Sequence, residues 1–269
     1  MNPYPYTPPV RLPEWRPAGV AAYDNHGTGP DGRRRLAFTW DGNVECARLL
    51  HGHYDVTLTR ALVDGVLEYR GQMAVTVRGL GRMPLRADIT AAGRGKPSIL
   101  APYSSPTAQV VLPAAAVRVD SADEDDLHLG MWEALDTAER VADAALGAVC
   151  AFAETRTPGG MDGVPRIEWS EHGKAELAVA GWTVLTSRRP SAGTEHIAHA
   201  VIPVPGAGPT SRVAMPPVSV TTDSTDPNIL ERVAADTVRA SAALADATLN
   251  TALAVAELRA EQIARATGR

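Results

Sequence analysis

Apolar and polar residues alternate over short runs in two parts of the chain, and each alternating part gives way to a long stretch with apolar residues three and four apart. Period two marks strands with one face covered; a spacing of three and four marks one face of a helix. Around Asp41-Gly42 the runs LAFTW and VECARLL predict a hairpin, because that pair tolerates the positive φ of a tight turn. Further strands are predicted over Tyr54 to Leu62, Val66 to Val77, Leu85 to Thr90 and Gln109 to Val119, with Val63-Asp64-Gly65 as another turn and a loop over Ala91 to Pro106. A helix follows. Ser121 or Asp123 caps it, acids crowd its first turn, and Met131, Leu135, Ala138, Ala142, Ala145, Val149 and Phe152 form its stripe.

After Thr157-Pro158-Gly159-Gly160 the alternation resumes. Strands are predicted over Ile167 to Ser170, Ala175 to Val179, Trp182 to Ser187, His196 to Pro203 and Val213 to Val220, the first pair forming a hairpin through Gly173. The closing helix has Asp226 as cap and Pro227 at its first position, and runs to about Ala266. Its stripe is Val238, Ala242, Ala245, Leu249, Ala252, Ala256, Ala260 and Ile263. Alanine outnumbers large residues there, which suits close approach of a second helix.

The second pattern repeats the first. Shifted by 103 positions, Val111 to Arg156 matches Ala214 to Arg259 without a gap, with 14 identities in 46 positions. Pro113/Pro216, Asp120/Asp223, Asp123/Asp226, Asp143/Asp246 and Glu154/Glu257 are among them. The expected fold is therefore α+β: two copies of an antiparallel sheet or small barrel, each followed by a long helix and related by a pseudo-two-fold. The expected organisation is an arm over 1–32, a first copy over 33–156, a linker over 157–164 and a second copy over 165–269. The copies differ in the arm, in loops from Gly79 to Pro106 that the second copy lacks, and in the tail after Ala260.

Composition narrows this only a little. Prolines at 3, 5, 8, 9, 13 and 17 make the arm an extended segment, with Tyr4, Tyr6 and Trp15 as anchors. Net charge is -5, against a wholly basic nucleic-acid coat, and arginine supplies all but two of the 26 basic residues. Cys46 and Cys150 are the only cysteines, giving neither a disulfide framework nor a cysteine-based zinc motif. No apolar run reaches membrane-spanning length, so the expected location is the cytoplasm or a virion assembled there.

Candidate chemistry is sparse. His51 and His53 with Asp55 form the one metal-like cluster, resembling the HxH of cupins but without the downstream Glu. His196 and His199, three apart on a strand, face opposite sides. The glycine-rich turns at 78–82 and 93–96 lack P-loop spacing, and no GxSxG is present. No cofactor is implied. Arg33 to Arg35, Arg78, Arg82, Arg86, Arg94 and Lys96 are the residues from which a basic side of the sheet could be built, and whether they share one face is left open by the sequence. Strands plus a long helix, duplicated, resembles at fold level the single-strand nucleic-acid modules of Whirly and Pur-type repeats, which implies stacking aromatics that are scarce here. The favoured expectation is a non-enzymatic structural or assembly subunit of a larger complex such as a phage particle, self-associating or bound to other subunits. Tyr4, Tyr6, Trp15, Arg78, Arg82, Arg94, Ala245, Leu249 and Ile263 are its candidate contacts. The rivals are a single-stranded nucleic-acid-binding protein with a basic sheet face, and an enzyme or ligand-binding protein with a site between the copies.

Overall fold

A computed structural model describes residues 27–40, 44–51, 53–78, 107–157, 159, 166–190, 193–206 and 211–268. The fold is α+β, a large antiparallel sheet with, among the described residues, two helices, the longer one C-terminal. None of the described helices is long and apolar enough to cross a membrane. The chain divides into two compact units, one of residues 1–74 and 113–143, the other of residues 75–112 and 144–269.

In the first unit β1 (Thr39–Trp40), β2 (Glu45–His51), β3 (Tyr54–Val63) and β4 (Val66–Arg78, to Ala74 here) pair in sequence order, antiparallel throughout. The predicted first hairpin is present, Trp40 opposite Glu45, although its turn lies outside the described residues. Between Val63 and Val66, Asp64 and Gly65 both take positive φ, at 55° and 82°, the turn whose twist matches paired strands. β6 (Ala115–Val119) pairs with the first half of β4. Its helix, α1 (Glu124–Thr155), belongs to this unit as far as Asp143. Asp123 caps it, Oδ1 accepting the N–H of Asp125 at 2.9 Å and of Asp126 at 3.3 Å.

The second unit holds the end of β4, β5 (Thr107–Val111), the rest of α1, β7 (Lys174–Val179), β8 (Trp182–Pro190), β9 (Thr194–Pro203), β10 (Arg212–Ala214), β11 (Val218–Thr222) and α2 (Pro227–Ala266). Strands run in the order β5-β10-β9-β8-β7, and β11 pairs with the early part of β9. The hairpin of β7 and β8 also turns through two residues of positive φ, Ala180 and Gly181, at 51° and 79°. α2 packs on β9, β11 and β8. Asp226 caps it by accepting the Asn228 N–H at 2.9 Å.

Beyond shifts at strand ends, three of the expected strands differ in kind. Gln109 to Val119 is two strands, not one, and so is Val213 to Val220. Each is broken where proline stands, at Pro113 and at Pro216-Pro217, because proline has no N–H for the ladder. Ile167 to Ser170 is no strand; its backbone makes a local turn, Gly173 N–H to Ser170 O at 2.9 Å, and Lys174 N–H bonds the Ser170 hydroxyl. The last six residues of the expected arm also behave differently. Gly27 to Arg35 is a closed loop, with Thr28 bridged to Arg34 and the Gly29 N–H on Arg33 O.

The small-residue stripe of α1 meets a strand. A Cβ at Gly71 of β4 would stand 2.8 Å from the Ala138 Cβ, so this helix lies close on its sheet. In the second unit the end of α1 and α2 meet where Arg156, just past α1, ion-pairs with Asp246 at 2.6 Å.

Candidate functional site

Within the first unit a row of polar residues follows one edge of α1, spaced four, four, three and four apart, and every member is tied to a loop or strand. The His128 Nε2 lies 2.8 Å from Asp31 Oδ1. The Trp132 indole N–H donates to Arg34 O at 3.1 Å. Asp136 accepts two hydrogen bonds from Arg33, at 2.9 and 3.1 Å. His51 Nε2 stands 3.0 Å from Glu139 Oε2, and the Tyr54 hydroxyl donates to Asp143 Oδ1 at 2.6 Å. Residues 128, 132, 136, 139 and 143 fall on one face because three- and four-residue steps bring side chains into line.

The loop over Gly27 to Arg35 is the strap of this arrangement. Asp31 Oδ1 also accepts the Arg33 N–H at 3.0 Å, which holds the loop in a tight turn, and Gly32 supplies a φ of 77°. Partial burial alone would raise the Asp31 carboxyl. The Arg33 N–H, the hydrogen bond and charge of His128 and the Arg33 guanidinium outweigh it and hold the group below the ordinary carboxylate range. Gly29 lies flat on His128, where a Cβ would stand 2.1 Å from the ring. Arg33 lies 5.0 Å from the centre of the Trp132 ring, and Arg35 pairs with Asp125 at 2.8 Å. Beside the strap an open groove of about 510 Å³ runs along α1, lined by Asp31, Arg33, Leu129, Trp132, Glu133, Asp136 and Arg140. It offers an apolar ledge, since Leu129 is 45% exposed, next to carboxylates.

The second unit has a counterpart at the position of Asp143 shifted by 103. Asp246 accepts the indole N–H of Trp182 at 2.9 Å and pairs with Arg156. The Arg156 guanidinium lies 4.7 Å from the Trp182 ring centre and donates to Ala180 O at 2.9 Å, gripping the β7–β8 turn. In both units the aromatic residue is the first of its strand after a two-residue turn, and register fixes it: His51 opposite Tyr54, Val179 opposite Trp182.

Most of the residues singled out in the sequence lie elsewhere. His51 ends β2, His53 is in the turn and Asp55 is in β3, so the two histidines do not share a strand; His51 is engaged with Glu139. Among the described residues no group of three or more His, Cys, Asp and Glu is placed to hold a metal ion. His196 and His199 do alternate across β9, His196 buried and His199 half-buried. Burial, with the Arg188 charge, pushes His196 down to about 4, and neither ring nitrogen has a hydrogen-bond partner. The Trp169 ring lies 6.1 Å away. Burial raises the Cys150 thiol, as do the carboxylates of Glu154 and Glu257, the wrong direction for a nucleophile. Arg33 and Arg35 are spent on acids of α1 rather than forming a basic sheet face. Tyr4, Tyr6, Trp15, Arg82 and Arg94 lie outside the described residues, and Arg78 ends β4. Ala245 and Leu249 are buried within the chain, whereas Ile263 is 45% exposed.

Sequence reading passed over Asp31, His128, Asp136 and Glu139. Their helical spacing on α1 was visible, but nothing local marks which loop closes on them. No family model, no curated protein and no solved structure matches the chain.

Proposed function

We propose that the chain is a non-enzymatic structural subunit of a larger assembly, such as a phage particle, built from two copies of one β-sheet-plus-helix unit. One observation carries the assembly reading. The α2 stripe is buried at Val238, Ala242, Ala245, Leu249, Ala252 and Ala256, then continues in step to Ala260 and Ile263, which are exposed. A face that the rest of the chain covers for some five turns is left bare for its last two. Apolar surface continuing from a packed core invites a partner on the same helix.

Duplication is supported by three matches beyond the sequence. Strands β2, β3, β4 and β6 follow the same pairing as β7, β8, β9 and β11, and each set leads into a long helix. Both copies fasten the first aromatic residue after a tight turn to an aspartate at offset 103. Within the second unit Val111 and Ala214, also 103 apart, are antiparallel partners, the register a two-fold relation requires of strands on its axis.

Light scattering on the full chain tests the assembly reading. A mass above that of one 28.4 kDa chain is expected, falling when Ile263→Glu puts charge on the bare stripe. A monomer throughout the micromolar range overturns it.

A further inference from the structure

We infer that the groove on α1 is the docking site for the proline-rich segment of residues 1–17 from a second copy of this chain. The inference rests on the assembly reading and names its contact. The described chain starts at Gly27 and lies at once on α1 through Asp31–His128 and Arg33–Asp136, and in sequence 26 residues precede this strap beside the groove. Seventeen residues in polyproline II conformation span about 50 Å, enough to leave one molecule and reach another. Segments of this kind dock in shallow grooves that pair an aromatic or aliphatic ledge with carboxylates: the ledge takes the proline rings, the acids take a flanking arginine.

The groove has those parts. Leu129 and Trp132 stand one turn apart as the ledge, and Glu133 and Asp136 lie along it. From Leu129 to Arg140 the helix rises about 16 Å, the length of five or six residues of extended proline-rich chain. The run Pro8-Pro9-Val10-Arg11-Leu12-Pro13 has that length and carries its arginine inside it, with Arg16 following. Because Arg33 neutralises Asp136, the exposed Glu133 is the partner of choice for Arg11 or Arg16.

Charge reversal in the full chain tests this, read as the dissociation constant of the assembly by light scattering. Glu133 is exposed on α1, so its replacement leaves the fold intact. Glu133→Arg is expected to weaken association about tenfold, and Arg11→Glu with Arg16→Glu to do the same; the three together restore it to within about threefold. Should the parent chain assemble and neither reversal change the constant, or the combination fail to recover it, the docking site is wrong and the assembly reading stands. Should the parent be monomeric at every concentration, both fall. If the reversals instead change protease cleavage of the arm in a monomeric chain, the arm docks on its own molecule and the second-copy source is overturned.

Discussion

Trp182 and Asp246 hold the second unit together at one point, the indole N–H donating to the carboxylate at 2.9 Å. The same carboxylate pairs with Arg156, whose side chain is 9% exposed. Removing it strands a buried guanidinium and an indole N–H together. Asp246→Ala is therefore expected to destabilise by about 3 kcal/mol, and Asp143→Ala by about half that, since Asp143 receives a neutral hydroxyl from Tyr54. Urea titration of the two variants checks the order. Equal losses would mean that Arg156 gains little from its carboxylate.

Gly71 sets how near α1 lies to β4. Its added Cβ would meet the Ala138 Cβ at 2.8 Å and the Ala134 carbonyl oxygen at 3.1 Å, and neither can swing away. Gly71→Ala should lose about 1–3 kcal/mol by overpacking. Ala138→Gly made with it should recover part of that, less the roughly 1 kcal/mol that glycine costs inside a helix. Melting temperatures of the single and double variants decide it; additive losses would show that the two residues do not meet.

How much of this was legible depends on how local each signal is. The caps at Asp123 and Asp226 and the spacing of the helices are written in neighbouring residues, and both helices stand where the pattern put them. Gln109 to Val119 and Val213 to Val220 looked continuous because alternation persists across the prolines, while the backbone donor lost there does not alter the apolar pattern. The polar edge of α1 was illegible for another reason. Asp31 and His128 are 97 positions apart, Arg33 and Asp136 103 apart, and an ion pair leaves no period in either segment. His51 and His53 misled in the opposite way: their spacing suggested a shared face, but a strand ends between them.

The strap should respond to single changes by loosening, not by unfolding the unit. Arg33 and Asp136 are both over 40% exposed, so Arg33→Ala should lower stability by at most about 1 kcal/mol. Asp31→Ala removes the partner of a histidine whose side chain is 2% exposed, together with the bond that closes the turn, and should cost more. Hydrogen exchange at the Gly29 and Arg33 amides reads the difference. Equal exchange in both variants would mean that the strap is held elsewhere.

His196 makes the second unit acid-sensitive. Its ring is 1% exposed in β9, faces Trp169, and has Arg188 opposite it in β8, while Glu195 points to the other face with Arg189 and Ser219. Nothing near it favours a second positive charge. With a value of about 4 when folded and about 6.5 when unfolded, the unfolded chain binds the extra proton first as pH falls. Stability from this residue is complete above pH 6.5, declines between 6.5 and 4, and is flat below, a loss of about 3 kcal/mol in all. Because both ring nitrogens already lack partners, His196→Leu forfeits no hydrogen bond; it should keep or raise stability at pH 7 and flatten the slope between 6.5 and 4. Denaturant titrations at pH 7, 5.5 and 4.5 compare the two chains. An unchanged slope in the variant would mean that this histidine does not carry the acid sensitivity.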